Sequence, residues 1–147
     1  MCYIQHKNQT LLLHRTKKEK DVNSGKWIGV GGKMESGESV EECMYREIYE
    51  ETGLIARQLK LHGFVTFPGL LDGEDEGMFV FTCNQFGGQL HECDEGELQW
   101  IDNEKIMSLP MWEGDYHFFE WLKDHQFHSA KLVYKDDKLI EYKEECY

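Results

Sequence analysis

At 147 residues, with four Trp, seven Tyr and eight Phe, the chain has the length and aromatic content for one domain with a sizeable core, which excludes a disordered polypeptide. A formal net charge of −12 excludes general binding to nucleic acid polymers or to an anionic membrane surface. No run approaches the ~20 apolar residues of a membrane span and none reads as a signal region, so a cytoplasmic location is expected.

In chain order, Cys2-Tyr3-Ile4 and Thr10-Leu11-Leu12-Leu13 read as the strands of a hairpin with Lys7-Asn8 at its turn. Residues 15–20 form a basic run in an acidic chain. It is either a solvated loop or a segment from which Arg15, with Lys17 or Lys18, reaches an anionic ligand. Residues 26–33 read as a strand, and alternation would place Trp27 and Val30 in different environments.

Gly31, Gly32 and Gly37 make the next segment permissive of close backbone approach to a ligand. Ser39 followed by Glu42 is a capping-box spacing that predicts a helix starting at Val40. Gly53 stands where a left-handed cap would end it. On that helix Glu47, Glu50 and Glu51 lie at i, i+3 and i+4 and share one face, while Met44, Tyr45, Ile48 and Tyr49 fall mostly on the other, towards a core. Arg46 is placed to tie Glu42 and Glu50 together. Like charges at such spacings cost a helix roughly 0.2–0.5 kcal/mol per pair. A hard divalent cation such as Mg²⁺ would reverse that penalty, because it takes carboxylate oxygens and keeps positions for water and phosphate.

Beyond the helix, residues 58–67 alternate like a strand that Pro68-Gly69 interrupts. Residues 71–77 form an acidic loop and 78–83 return as a strand, with Phe86-Gly87-Gly88 turning the chain again. Residues 102–110 read as a short helix ended before Pro110. An amphipathic helix follows, with Phe118, Phe119, Trp121 and Leu122 towards the core. Residues 127–134 and 139–142 form a terminal hairpin about Lys135-Asp136-Asp137-Lys138. The five cysteines are odd in number and contain no C-x-x-C pair, which fits reduced thiols better than a disulfide framework or a zinc site. The seven histidines show no ligand spacing such as H-E-x-x-H and read as surface or core polar groups.

Gly32, five residues, Glu38, seven residues, Arg46-Glu47-Ile48, one residue, Glu50-Glu51, one residue and Gly53-Leu54 fill every fixed position of the Nudix box. The chain therefore resembles the Nudix (MutT-like) hydrolase family. The resemblance implies an α+β fold, a Nudix-type α/β/α sandwich with a mixed β-sheet, as a single domain over residues 1–147. It implies Mg²⁺, with Mn²⁺ as a substitute, held by the Gly31 carbonyl, Glu47, Glu50 and Glu51. Catalytic roles would fall to Glu47, Glu50, Arg46 and Glu95, with Glu95 (Glu97 as second choice for the same loop position) or a box glutamate as general base.

Trp112-Glu113-Gly114-Asp115 resembles the segment that holds the base in the family's purine nucleotide hydrolases, where a Trp stacks on the base and an Asp bonds its edge. It departs from the mammalian-type version, which has two adjacent acidic residues, because here Gly114 precedes Asp115. Ile28 likewise stands in place of a base-binding Asn. Substrate contacts would come from Arg15, Ile28, Lys33, Phe67, Trp112 and Asp115. The expected function is hydrolysis of an oxidised purine nucleoside triphosphate such as 8-oxo-dGTP, giving a monophosphate and pyrophosphate in nucleotide-pool sanitation and DNA repair. A nucleotide is then the only expected partner, and the chain acts as a monomer or homodimer. The alternatives are a Nudix hydrolase for ADP-ribose, a sugar nucleotide or dihydroneopterin triphosphate, and a non-catalytic nucleotide sensor.

Overall fold

A computed structural model describes residues 1–17 and 21–147; Lys18, a candidate phosphate contact, lies outside them. The elements are β1 (Cys2–His6), β2 (Gln9–His14), β3 (Trp27–Ile28), α1 (Val40–Thr52), β4 (Leu54–Leu71), β5 (Glu74–Gly88) and β6 (Glu97–Asp102). A 3₁₀ helix (Asn103–Ser108), α2 (Glu113–Trp121), β7 (His128–Lys135) and β8 (Lys138–Cys146) complete the described chain.

Three two-residue turns share one cause. Lys7 and Asn8 (φ 49° and 61°), Asp72 and Gly73 (51° and 81°), and Asp136 and Asp137 (50° and 64°) all take positive φ. Two successive positive φ values match the right-handed twist of the flanking strands, so each dipeptide closes a tight hairpin. The strands follow the order β3-β2-β1-β5-β4-β7-β8, with β6 antiparallel to β2 off that path. The parallel β4–β7 pair beside antiparallel ladders makes the sheet mixed, as expected.

The described chain divides into two compact units. One comprises Met1–Lys60 and Thr82–Met111, the other Leu61–Phe81 and Trp112–Tyr147. In the first, consecutive Leu11, Leu12 and Leu13 are all buried, with Cys2, Tyr3 and Ile4 on the neighbouring strand. A strand buried without alternation is covered on both faces. The second unit centres on Val65, Phe118, Trp121 and Leu132.

Several expectations are corrected. Within residues 26–33 only Trp27–Ile28 pairs as a strand, and Val30 makes an isolated bridge to Cys2. Trp27 and Val30 are both buried because regular strand geometry ends between them, so alternation no longer applies. Pro68-Gly69 does not interrupt β4, which runs on to Leu71; Gly69 bends it with φ 64° and donates its N–H to Asp75. The acidic loop shrinks to Asp72-Gly73, and Glu74 already belongs to β5. Tyr45 and Tyr49 are exposed on α1, where Cys43 joins Met44 and Ile48 in the core. Leu122 caps α2 and is only half-buried.

Candidate active site

The glutamate helix is bounded as its sequence dictates. Ser39 accepts the Glu42 N–H at 3.1 Å and Glu42 accepts the Ser39 N–H at 2.7 Å, a complete capping box. Gly53 closes the helix at φ 78°, its N–H donating to the Tyr49 carbonyl. Both ends are therefore held, which fixes the rotation of the glutamate face.

Arg46 organises that face. Its Nε and Nη2 donate to the two oxygens of Glu38 at 2.5 and 2.9 Å, a bidentate fork. Its Nη1 reaches Glu47 at 2.6 Å and Glu50 at 3.2 Å, and Nη2 also donates to the Lys33 carbonyl at 3.1 Å. The fork, helped by the Glu35 N–H, draws the Glu38 carboxyl down to about 2. The guanidinium is thus fully engaged in spacing carboxylates and anchoring the loop.

The loop reaches the helix through its glycines. Gly31 donates its N–H to Glu51 Oε2 at 3.1 Å. A Cβ on Gly32 would stand 2.5 Å from the Glu47 carboxyl carbon, so a side chain there would displace the glutamate. Glu51 is half-buried, and burial pushes its carboxyl up to about 7. Glu95 and Glu47 push the same way, against the Gly31 N–H and Arg15. Carboxylates on one helix, two of them on the same guanidinium and a third displaced towards its neutral form by burial and like charge, are hard oxygen donors of the kind a divalent cation takes. Glu47, Glu50, Glu51 and the Gly31 carbonyl thus fit a Mg²⁺ ion by their chemistry. Glu50 is the most open of the three, its side chain 56% exposed against 14% for Glu47.

Arg15 and Glu95 are brought together, with Arg15 Nη1 on Glu95 Oε2 at 2.5 Å and Arg15 Nε on Asp21 at 2.6 Å. Lys17 donates to the Cys93 carbonyl at 2.7 Å, tying the basic segment to the Glu95 loop. Lys33 is exposed, and Ile28 lies half-buried opposite Leu13 on β2.

In the second unit Trp112 precedes α2, its half-buried ring edge-on to Tyr134 at 5.4 Å and 81°. Phe67 stands on the same tyrosine at 6.4 Å. Gly114 donates its N–H to the Tyr134 hydroxyl at 2.8 Å. A Cβ on Gly114 would collide with Leu132 and come within 2.6 Å of that hydroxyl. This is the physical reason a second acidic residue does not precede Asp115. Burial pushes the Asp115 carboxyl up to about 7. Tyr134, which joins Phe67, Trp112 and Gly114, is not among the candidate residues of the sequence, where it is only one position of the terminal hairpin.

The family model described as NUDIX domain matches residues 1–122. The chain belongs to the Nudix family. An uncharacterized Nudix hydrolase of Bacillus subtilis is 35% identical, over 97% of this chain and 90% of its own length. An oxidized purine nucleoside triphosphate hydrolase of Danio rerio is 32% identical, over 86% of this chain and 81% of its own. The crystal structure of a MutT protein from Bacillus halodurans superposes with a TM-score of 0.86 at 29% identity, covering 98% of this chain and 94% of that one. The mixed sheet with few helices is accordingly the Nudix fold, and the protein is a Nudix hydrolase, an enzyme of a family that acts on nucleotides and generally uses a divalent metal such as Mg²⁺. Among the described residues no helix is long and apolar enough to cross a membrane.

Proposed function

We propose that this Nudix hydrolase converts oxidised purine nucleoside triphosphates, such as 8-oxo-dGTP, to the monophosphate and pyrophosphate, and so sanitises the nucleotide pool. The observation that carries the reading is the Trp112 ring, braced edge-on by Tyr134 and followed by the buried Asp115. An indole offers a flat apolar face to a purine. A carboxyl pushed up to about 7 can both donate to and accept from the edge of an oxidised base at neutral pH. The oxidized purine nucleoside triphosphate hydrolase from Danio rerio supports the same reading at 32% identity.

Glu47, Glu50, Glu51 and the Gly31 carbonyl would hold Mg²⁺. The ion supplies charge neutralisation for the phosphates and acidifies a water molecule. Arg46 keeps Glu47 and Glu50 spaced for it. The proton of the attacking water passes to Glu95 or to a box glutamate. Glu95 is held by Arg15 and takes that role once the ion pair opens. Arg15 and Lys33 then offset charge on the phosphates.

Product-resolved turnover of 8-oxo-dGTP, dGTP, dATP, ADP-ribose, a sugar nucleotide and dihydroneopterin triphosphate, with and without Mg²⁺, tests the reading. The expected result is metal-dependent release of pyrophosphate, with the highest kcat/KM on an oxidised purine triphosphate. Glu50→Gln should lower kcat by orders of magnitude with the fold intact. Trp112→Ala should raise KM for the purine nucleotide far more than for inorganic tripolyphosphate. Preferential turnover of ADP-ribose or of a pterin would overturn the substrate assignment while leaving the hydrolase in place.

A further inference from the structure

The second unit carries a group of metal-ligating side chains that the hydrolase chemistry does not use. On the terminal hairpin, His128 of β7 stands directly opposite Cys146 of β8, and Ala130 opposite Glu144. Alternate residues of a strand share a face, and directly opposed residues share it across the ladder. His128, Glu144 and Cys146 therefore project to one side of the sheet.

Their ligand atoms converge. His128 Nδ1 lies 2.5 Å from Glu144 Oε1 and 3.5 Å from Cys146 Sγ, and Sγ lies 3.4 Å from the same carboxylate oxygen. Zinc bonds of about 2.0 Å to nitrogen, 2.0–2.2 Å to oxygen and 2.3 Å to sulfur place tetrahedral ligands about 3.3–3.5 Å apart. Both sulfur separations already have that length, and only the nitrogen–oxygen pair must open, by somewhat less than about 1 Å.

The outer partners are in place as well. Asp124 holds His128 Nε2 at 3.0 Å, the Trp121 ring stacks on the imidazole at 5.0 Å and 6°, and the Tyr142 hydroxyl donates to Glu144 Oε2 at 2.5 Å. A carboxylate on the far nitrogen of a histidine assigns that nitrogen its proton and turns the other lone pair towards a metal. With Nε2–H assigned to Asp124, the Nδ1 lone pair, a carboxylate oxygen and a sulfur meet at one point. Three acceptors cannot share a point without a proton or a cation among them. The imidazole is buried while Cys146 is exposed, so a rigid ligand is paired with an open entry path.

We propose that His128 Nδ1, Glu144 Oε1 and Cys146 Sγ form a binding site for one Zn²⁺ ion, with water as the fourth ligand. The thiolate and imidazole select zinc over the magnesium preferred by an all-oxygen set. Binding releases the thiol proton of Cys146 to solvent, and the metal takes its place among the three ligand atoms. Because the ligands come from both strands, the ion staples the end of β8 to the start of β7. The site rests on none of the substrate assignment above. It also revises the reading of the histidines as surface or core polar groups.

The test uses the full chain, reduced with a phosphine, and titrates it with Co²⁺ as a spectroscopic stand-in for Zn²⁺. The expected result is a thiolate-to-cobalt charge-transfer band in the near ultraviolet with visible bands of tetrahedral intensity, saturating at one equivalent and displaced by Zn²⁺. The band should vanish in Cys146→Ser, weaken in Glu144→Gln and persist in Glu50→Gln. Zinc should raise the Tm of the wild type but not that of Cys146→Ser. Circular dichroism of Cys146→Ser, whose side chain is exposed at a strand end, checks that the fold is retained. A spectrum without the charge-transfer band, the mark of a network held by protons alone, overturns the proposal, as does a band that survives Cys146→Ser.

Discussion

Glu51 is placed under two opposed demands. Its oxygen accepts the Gly31 N–H, which favours the carboxylate, yet burial and the neighbouring Glu95 and Glu47 outweigh that bond and lift the carboxyl from 4.5 to about 7. A carboxyl raised in the folded state binds more protons folded than unfolded between those two values. Its contribution to stability is full below about 4.5, falls as pH rises to about 7 and is absent above. The decline amounts to at most roughly 3 kcal/mol. Asp115, raised from 3.8 to about 7, contributes in the same direction. In chelator the wild type should therefore lose stability from pH 5 to pH 7.5, and Glu51→Gln should lose visibly less. Urea denaturation at the two pH values checks this; identical slopes with pH would remove Glu51 as a strained group. At this scale the sequence was informative where a residue's type settles its role, as with Gly32, whose missing Cβ admits Glu47. It was silent on Gly114, whose constraint comes from Leu132 and Tyr134, eighteen and twenty residues further along the chain.

At the scale of elements, α1 was legible from end to end because its signals are local. The capping box and the left-handed glycine lie within the helix's own span and need no tertiary partner. Ser39→Ala removes one side-chain acceptor and should cost about 1 kcal/mol. Gly53→Ala should cost more than that, because alanine resists φ 78° and its Cβ would lie 2.5 Å from the Gln89 carbonyl. Midpoints from urea melts give the order, and equal losses would mean that the collision relaxes freely. Strand β4 was read less well. Pro68-Gly69 is a local breaker by composition, yet β4 continues through it, with Gly69 bending the chain and donating to Asp75 on the partner strand. Long-range pairing overrode the local preference, as it commonly does in sheets.

For the whole molecule, a net charge of −12 means self-repulsion that salt relieves. The Tm should rise with NaCl at pH 7.5. At matched ionic strength MgCl₂ should raise it further, because an ion bound only by the folded state adds to screening. That extra increment should shrink in Glu50→Gln; an increment unchanged by the substitution would mean that magnesium acts on the surface charge alone. By itself the sequence determined the family, the helix bearing the carboxylates and the turns at Lys7-Asn8 and Asp136-Asp137, because each is written in residues close together along the chain. Only the tertiary structure decided that Arg15 meets Glu95 eighty residues away, that Tyr134 braces Trp112, and that His128 faces Glu144 and Cys146. Those meetings depend on strand register and loop closure, where a shift of one residue turns a side chain to the opposite face of the sheet.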